Sequence, residues 1–123
     1  MVIEPDVLVR TTIAAYLREC GYKVIEGVVA GDLWRILDSS DPLDLVFSEV
    51  QLSGQTDGFV LARRLRQTRP EIDLILVSET GAAAERSKRS DEERPMKKPY
   101  RLADVAARIR VLLQRRRAAG DKS

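Results

Sequence analysis

Short apolar runs alternate along this chain with longer stretches in which apolar residues recur every three or four positions. Met1-Val2-Ile3 is the first run. It predicts a strand shorter than the usual five or so residues, so either this strand is unusually short or the chain starts upstream of Met1. Val9, Ile13, Leu17 and Cys20 follow at helical spacing, with Asp6 placed to cap the helix and Gly21 to stop it. On that spacing Cys20 lies on the apolar face, as an inert core residue. Tyr22 to Glu26 alternates weakly and predicts a second strand. Gly31-Asp32 leads into a short helix, Leu33 to Leu37, which carries Trp34 as a partly buried packing residue and ends at Ser39-Ser40-Asp41-Pro42. Leu43 to Val50 is nearly all apolar, as befits a central parallel strand covered on both faces. Asp57-Gly58 opens a helix running through Thr68 and closed by Pro70, and Ile72 to Val77 is a fourth, branched-rich strand.

The later part of the chain is weaker in pattern. Residues 79–94 hold few large apolar side chains, which predicts a short, poorly anchored helix or a mobile segment. Pro95-Met96-Lys97 makes a meagre last strand. Leu102, Val105, Ile109 and Leu112 then form the clearest helical stripe, with Arg115-Arg116-Arg117 near its end, where positive charge offsets the helix dipole. Strand followed by helix, five times over, predicts an α/β protein with a parallel sheet and helices on both faces. Right-handed crossovers give a flavodoxin-like three-layer sandwich, a five-stranded parallel sheet of order 2-1-3-4-5 with about five helices. The expected domain is 1–117, with 118–123 a disordered tail. In such a sheet functional loops sit at the carboxyl ends of the strands, which is where Glu4, Glu49, Ser78 and Lys98 fall.

Composition narrows the chemistry. Hydrophobic residues make up 44% of the 123 positions, the share of an ordinary globule. No apolar run approaches the roughly 20 residues that span a bilayer. A single cysteine cannot form an internal disulfide, which fits a reducing cytoplasm. Histidine is absent, and with it go Ser-His-Asp and Cys-His catalysis and most zinc sites. The net charge of +2 conceals a split: residues 1–61 carry 4 basic and 10 acidic side chains, residues 62–123 carry 17 basic and 9 acidic. A basic half can attract nucleic acid, but no aromatics are interleaved with the charges. Solvated helix faces are therefore the preferred reading, and nucleic acid is not the expected partner.

An acid after the first strand (Glu4), an acid ending the third (Glu49), a hydroxyl after the fourth (Ser78) and Lys98-Pro99 after the fifth resemble the response-regulator receiver domain of two-component signalling, over roughly residues 2–114. In that family an aspartate at the end of strand three accepts a phosphoryl group from a histidine kinase. Two acids after strand one hold Mg²⁺, and the hydroxyl and lysine contact the phosphoryl oxygens. The resemblance puts Glu49 at the phosphoacceptor position, Ser78 at the switch hydroxyl, Lys98 at the lysine, and Glu4 and Pro5 at the metal pair. Asp57-Gly58 matches the end of the loop after strand three, and the family's strand-five aromatic falls near Pro95.

Two positions depart from that pattern. Pro5 offers no carboxylate, and Asp6, one residue on, is expected to point away and start the helix. Glu49 is one methylene longer than Asp, which displaces its carboxylate by roughly 1.5 Å; a misplacement of that size costs on the order of 100-fold in rate. The expectation is an atypical stand-alone receiver that is not an enzyme, needs no cofactor and retains at most a remnant metal site, Glu4 and Glu49. It would act in the cytoplasm by contact with a histidine kinase or other signalling protein, with homodimerisation through the face of the fourth helix, fifth strand and fifth helix as one mode and no membrane partner. Either Glu49 mimics a phosphorylated state or it is a decayed site in which Glu49 and Lys98 form a buried ion pair. The competing expectations are a working phosphoacceptor that uses Mg²⁺ and, less favoured, a basic nucleic-acid-binding module.

Overall fold

Strand β3 (Leu45–Glu49) is buried at every position because helices cover both faces of the sheet. A computed structural model of the chain describes residues 1–52, 57–78, 96–97 and 100–121, with 97 and 118–121 defined by their backbone. The remaining described elements are β1 (Val2–Ile3), α1 (Val7–Glu19), β2 (Glu26–Gly27), α2 (Ala30–Asp38), α3 (Gly58–Thr68), β4 (Asp73–Ser78), β5 (Met96–Lys97) and α4 (Leu102–Asp121). All neighbouring strands pair in parallel, and the sheet order is β2-β1-β3-β4-β5, the order expected from the sequence. The helix anticipated within 79–94 lies outside the described residues, as do Lys98, Pro99 and Pro95.

Successive strand residues face opposite sides, and the core divides accordingly. Val2, Leu45, Phe47, Ile75 and Val77 point to one face, under Ile13 and Leu17 of α1 and Val105 and Ile109 of α4. Ile3 and Val46 point to the other, under Leu33 of α2 and Leu61 and Leu65 of α3. A third cluster, Val50, Phe59, Ala62 and Leu76, seals α3 against the ends of β3 and β4. Tyr100 packs edge-on against Phe47, ring centroids 6.0 Å apart, just before α4. Trp34 is half-buried against the second cluster, with the Arg64 guanidinium 4.2 Å from its ring centroid.

Helix ends follow the sequence signals. Asp6 caps α1, accepting from the backbone N–H of Leu8 at 2.9 Å and Val9 at 3.2 Å. At the other end Gly21 takes φ +98, the left-handed conformation that closes a Schellman motif: Gly21 N–H donates to Arg18 O and Tyr22 N–H to Leu17 O. That geometry corrects one expectation. Cys20 is the capping residue and is exposed, not core, because the helix ends at Glu19 before its apolar stripe reaches that position. Two boundaries also move. The last helix continues to Asp121, past the edge expected at residue 117, since Ala118 and Ala119 favour helix. The second strand starts at Glu26 instead of Tyr22, because β1 reaches back only to Val2, which pairs with Glu26.

Candidate functional site

Register brings the sequence-selected acids together. Ile3 lies opposite Ser48 in the β1–β3 ladder, so the next pair is Glu4 and Glu49. Period two aims both side chains to the α1/α4 face, the side occupied by Val2 and Phe47. Both are buried, each 5% exposed. Such burial of acids requires polar company. The Glu4 Oε1 accepts from Asp6 N–H at 3.2 Å, and Glu49 Oε1 accepts from Gln51 N–H at 3.3 Å. Ser78 ends β4 and is 3% exposed. Its ladder neighbour Val77 pairs with Glu49, so the hydroxyl-bearing residue stands one step beyond the acid. Lys98, the fourth member of the constellation, lies outside the described residues. Ser48, flanking Glu49, is fully buried and donates to the Glu49 carbonyl at 2.9 Å, a structural role.

The loop after β3 is tied down where it meets α3. Gly58 N–H donates to Val50 O at 2.7 Å, and Asp57 caps α3 by accepting from Val60 N–H at 2.9 Å. A Cβ on residue 58 would stand 2.7 Å from Val50 Cα and 3.0 Å from Glu49 O. Only glycine lets the helix approach so closely, and the Asp-Gly pair is thus a device that fixes the backbone of Glu49.

Sequence reasoning passed over a second network beside the site. Arg10, on the first turns of α1, donates to the Glu4 carbonyl at 3.0 Å and sits 3.4 Å from Glu26, whose other carboxylate oxygen lies 3.3 Å from Arg18. Arg10 and Arg18 are eight residues apart, which places them on one face of a helix; that spacing was the available signal. Next to it Asp32 receives the N–H groups of Val28 and Val29, at 2.8 and 3.1 Å. These bonds, Val28 first, hold its carboxyl below the usual carboxylate range. The network locks the β1 and β2 carboxyl ends to α1 and α2.

A parallel sheet of order 2-1-3-4-5 with paired acids, a hydroxyl and an Asp-Gly-capped helix at its carboxyl edge defines the receiver class of signalling fold. The family described as the response regulator receiver domain matches residues 1–110, and the chain belongs to it. Solved structures agree on the fold. A response regulator receiver protein from Sinorhizobium medicae WSM419 gives a TM-score of 0.82 at 19% identity, covering 94% of this chain and 93% of that one. A response regulator receiver domain protein from Clostridium thermocellum gives 0.83 at 16% identity, covering 96% and 95%. The signal receiver domain of an HD domain-containing protein from Pseudomonas fluorescens Pf-5 gives 0.82 at 21% identity, covering 95% and 94%. The chain is thus a receiver domain of two-component signalling. Among the described residues no helix is long and apolar enough to cross a membrane.

Proposed function

We propose that this receiver works by protein–protein contact without phosphotransfer, with Glu49 as a permanent anion where the family carries a reversible one. The observation that carries the reading is the state of the β1–α1 turn. Pro5 brings no carboxylate to the metal side of the site, and the Asp6 carboxylate is engaged in capping α1. Mg²⁺ requires a tight octahedron of hard oxygen ligands, and Glu4 and Glu49 alone are a poor basis for one. Among the described residues no three His, Cys, Asp or Glu side chains gather as a metal-holding group. The residues present do not fit the family's ion.

The longer side chain of Glu49 supports the same reading. It places the carboxylate one methylene further from the backbone than an aspartate would, and the Gly58 contact fixes that backbone. The contact surface on this reading is the face containing β5 and α4, where Arg101 and Arg108 are exposed, and the partner is a histidine kinase, another signalling protein or a second copy, in the cytoplasm. The test is incubation with a small-molecule acyl phosphate and Mg²⁺, followed by intact-mass measurement. No adduct is expected. An adduct present on the native chain and lost in Glu49→Gln overturns the proposal in favour of a working phosphoacceptor. Backbone amide spectra then separate mimicry from decay: a signalling anion at Glu49 requires Glu49→Gln to shift the amides of Ser78 and Tyr100, and a decayed site leaves them in place.

A further inference from the structure

The outward face of α4 carries its charges in an order that the core does not require. Val105 and Ile109 turn toward the sheet, with Leu102 and Leu113 packed beside them. On the opposite side Asp104, Ala107, Val111 and Gln114 recur at intervals of three, four and three residues, which keeps them in one line along the helix. A solvated helix normally bears its charges on that line. Here its middle residue is Val111, 44% exposed, and the charges stand to either side. Arg108 and Arg115, seven residues apart, run along one flank, and Arg110 and Arg117, also seven apart, run along the other. All four are exposed, and no carboxylate among the described residues forms an ion pair with any of them.

In heptad terms Asp104 and Val111 take seam position a, Ala107 and Gln114 take d, and every arginine takes e or g. Those flanking positions choose a helical partner by charge. A second copy is the wrong partner for this face. Parallel pairing sets g of one helix against e of the other, and antiparallel pairing sets e against e and g against g. Each arrangement opposes Arg to Arg, which is destabilising. A nucleic acid fits poorly as well: Ala107 and Val111 offer a phosphate backbone no contact, and Asp104 repels it at one end of the line. A helix with carboxylates on both flanks of an apolar seam covers Val111 and meets all four arginines.

We infer that this face of α4 docks an acidic amphipathic helix of another protein, laid along residues 107–117 with its apolar seam on Ala107 and Val111 and its carboxylates beside the two arginine rows. Asp104 marks the end of the footprint, since an acid there would meet another acid. The inference rests on the protein-contact reading above and narrows its partner by chemistry.

The test uses the 123-residue protein and a peptide of three Glu-Ile-Ala-Ala-Leu-Glu-Lys repeats, acetylated and amidated, with backbone amide spectra as the readout. Saturable shifts centred on Ala107, Val111 and Gln114 are expected, with a dissociation constant on the order of 0.1 mM at low salt. Binding should weaken about tenfold or more as ionic strength rises from about 0.01 to about 1 M and the screening length falls from roughly 30 to 3 Å. The charge-exchanged peptide, three Lys-Ile-Ala-Ala-Leu-Lys-Glu repeats, should give no saturable shift. Arg115→Glu should weaken binding of the acidic peptide at least about fivefold, whereas Arg63→Glu, the same change of charge on an exposed position of α3, should leave it within about twofold. The absence of shifts, equal losses from the two substitutions, tighter binding of a DNA duplex than of the acidic peptide, or concentration-dependent shifts of the same amides in the protein alone each overturn the docking proposal. None of these outcomes alters the mass of the chain after acyl phosphate treatment, so a failure here and a failure of the phosphotransfer-free reading are told apart.

Discussion

The α-amino group of Met1 sets a pH dependence that this chain is unusually well suited to reveal. The ammonium is buried at the start of β1, donates to Leu45 O at 2.9 Å, and is pushed down from 8.0 to about 6 by desolvation, against which the Asp44 carboxylate acts in the raising direction. In the unfolded chain it keeps its ordinary value. Between pH 6 and 8 the unfolded state therefore holds a proton that the folded state has released, and stability rises with pH across that window. Below pH 6 both states are protonated and the fold carries the full cost of a buried ammonium. Above pH 8 both are neutral and the dependence ends. At 1.36 kcal/mol per pKa unit the difference between the two plateaus is about 3 kcal/mol. For a domain of this size that corresponds to a melting-temperature change on the order of 10 °C.

No histidine complicates this window, and Cys20→Ser at an exposed helix cap removes the thiol from consideration. Urea denaturation followed by the fluorescence of Trp34, the sole tryptophan, should give a midpoint that climbs from pH 5.5 to 8.5. Acetylating Met1 should flatten the curve near its high-pH level, and Asp44→Asn should steepen it by removing the opposing charge. A midpoint that stays constant from pH 6 to 8, or a slope that survives acetylation, would refute the reasoning.

Three further outcomes follow from contacts described above. Gly58→Ala should destabilise by about 1–3 kcal/mol, the range for forcing an atom into a filled space, because its Cβ meets Val50 Cα at 2.7 Å; chemical denaturation measures it, and a neutral result would remove Gly58 as the anchor of Glu49. Asp6→Ala should cost about 1 kcal/mol through the lost N-cap, with Asp6→Asn close to native; equal losses for both would point to charge in place of capping. Glu49→Asp alone should leave the chain unphosphorylated by an acyl phosphate with Mg²⁺, whereas Glu49→Asp with Pro5→Asp should begin to restore the adduct in intact-mass spectra, and full restoration by the single change would sink the account of the missing ligand.

How far the sequence could be read depended on which physical signal a feature left in it. The branched-rich run Ile72–Val77 and the unbroken apolar run around Val46 report burial on two faces, and those strands came out near their observed bounds, as did α3 behind Asp57-Gly58. The positions of Glu4, Glu49 and Ser78 were legible because parallel strands of known order bring their carboxyl ends together. Cys20 misled because helical periodicity says nothing about where a helix stops, and the stop came from Gly21 one residue later. The β2 boundary moved because strand assignment needs a partner as well as a pattern: Tyr22–Ile25 carries the pattern, and β1 ends before supplying the partner. The Arg10–Glu26–Arg18 network was missed since its partners come from separate elements, and only their register in the sheet made them neighbours.

The two edges of this sheet have opposite electrostatic problems, and both arise from β1. At its carboxyl end β1 delivers Glu4 beside Glu49, two buried acids without the second acid after strand one that completes the family's metal pair; at its amino end it delivers a buried ammonium. Each lies in a position where a reversible partner, a cation at one edge and an anion at the other, would relieve a desolvation cost. At the carboxyl edge the residues present favour a permanent arrangement, because Pro5 and the capping of α1 by Asp6 take away the ligands that a divalent ion would need. The core gives Glu49 a packed route to α4: Phe47 and Leu45, two and four residues back along β3, belong to the same buried cluster as Val105 and Ile109 of α4. Amide shifts in Glu49→Gln that continue from Phe47 to Tyr100, whose rings pack edge-on, are the expected signature of that route, and shifts confined to Glu49 and its chain neighbours would exclude it.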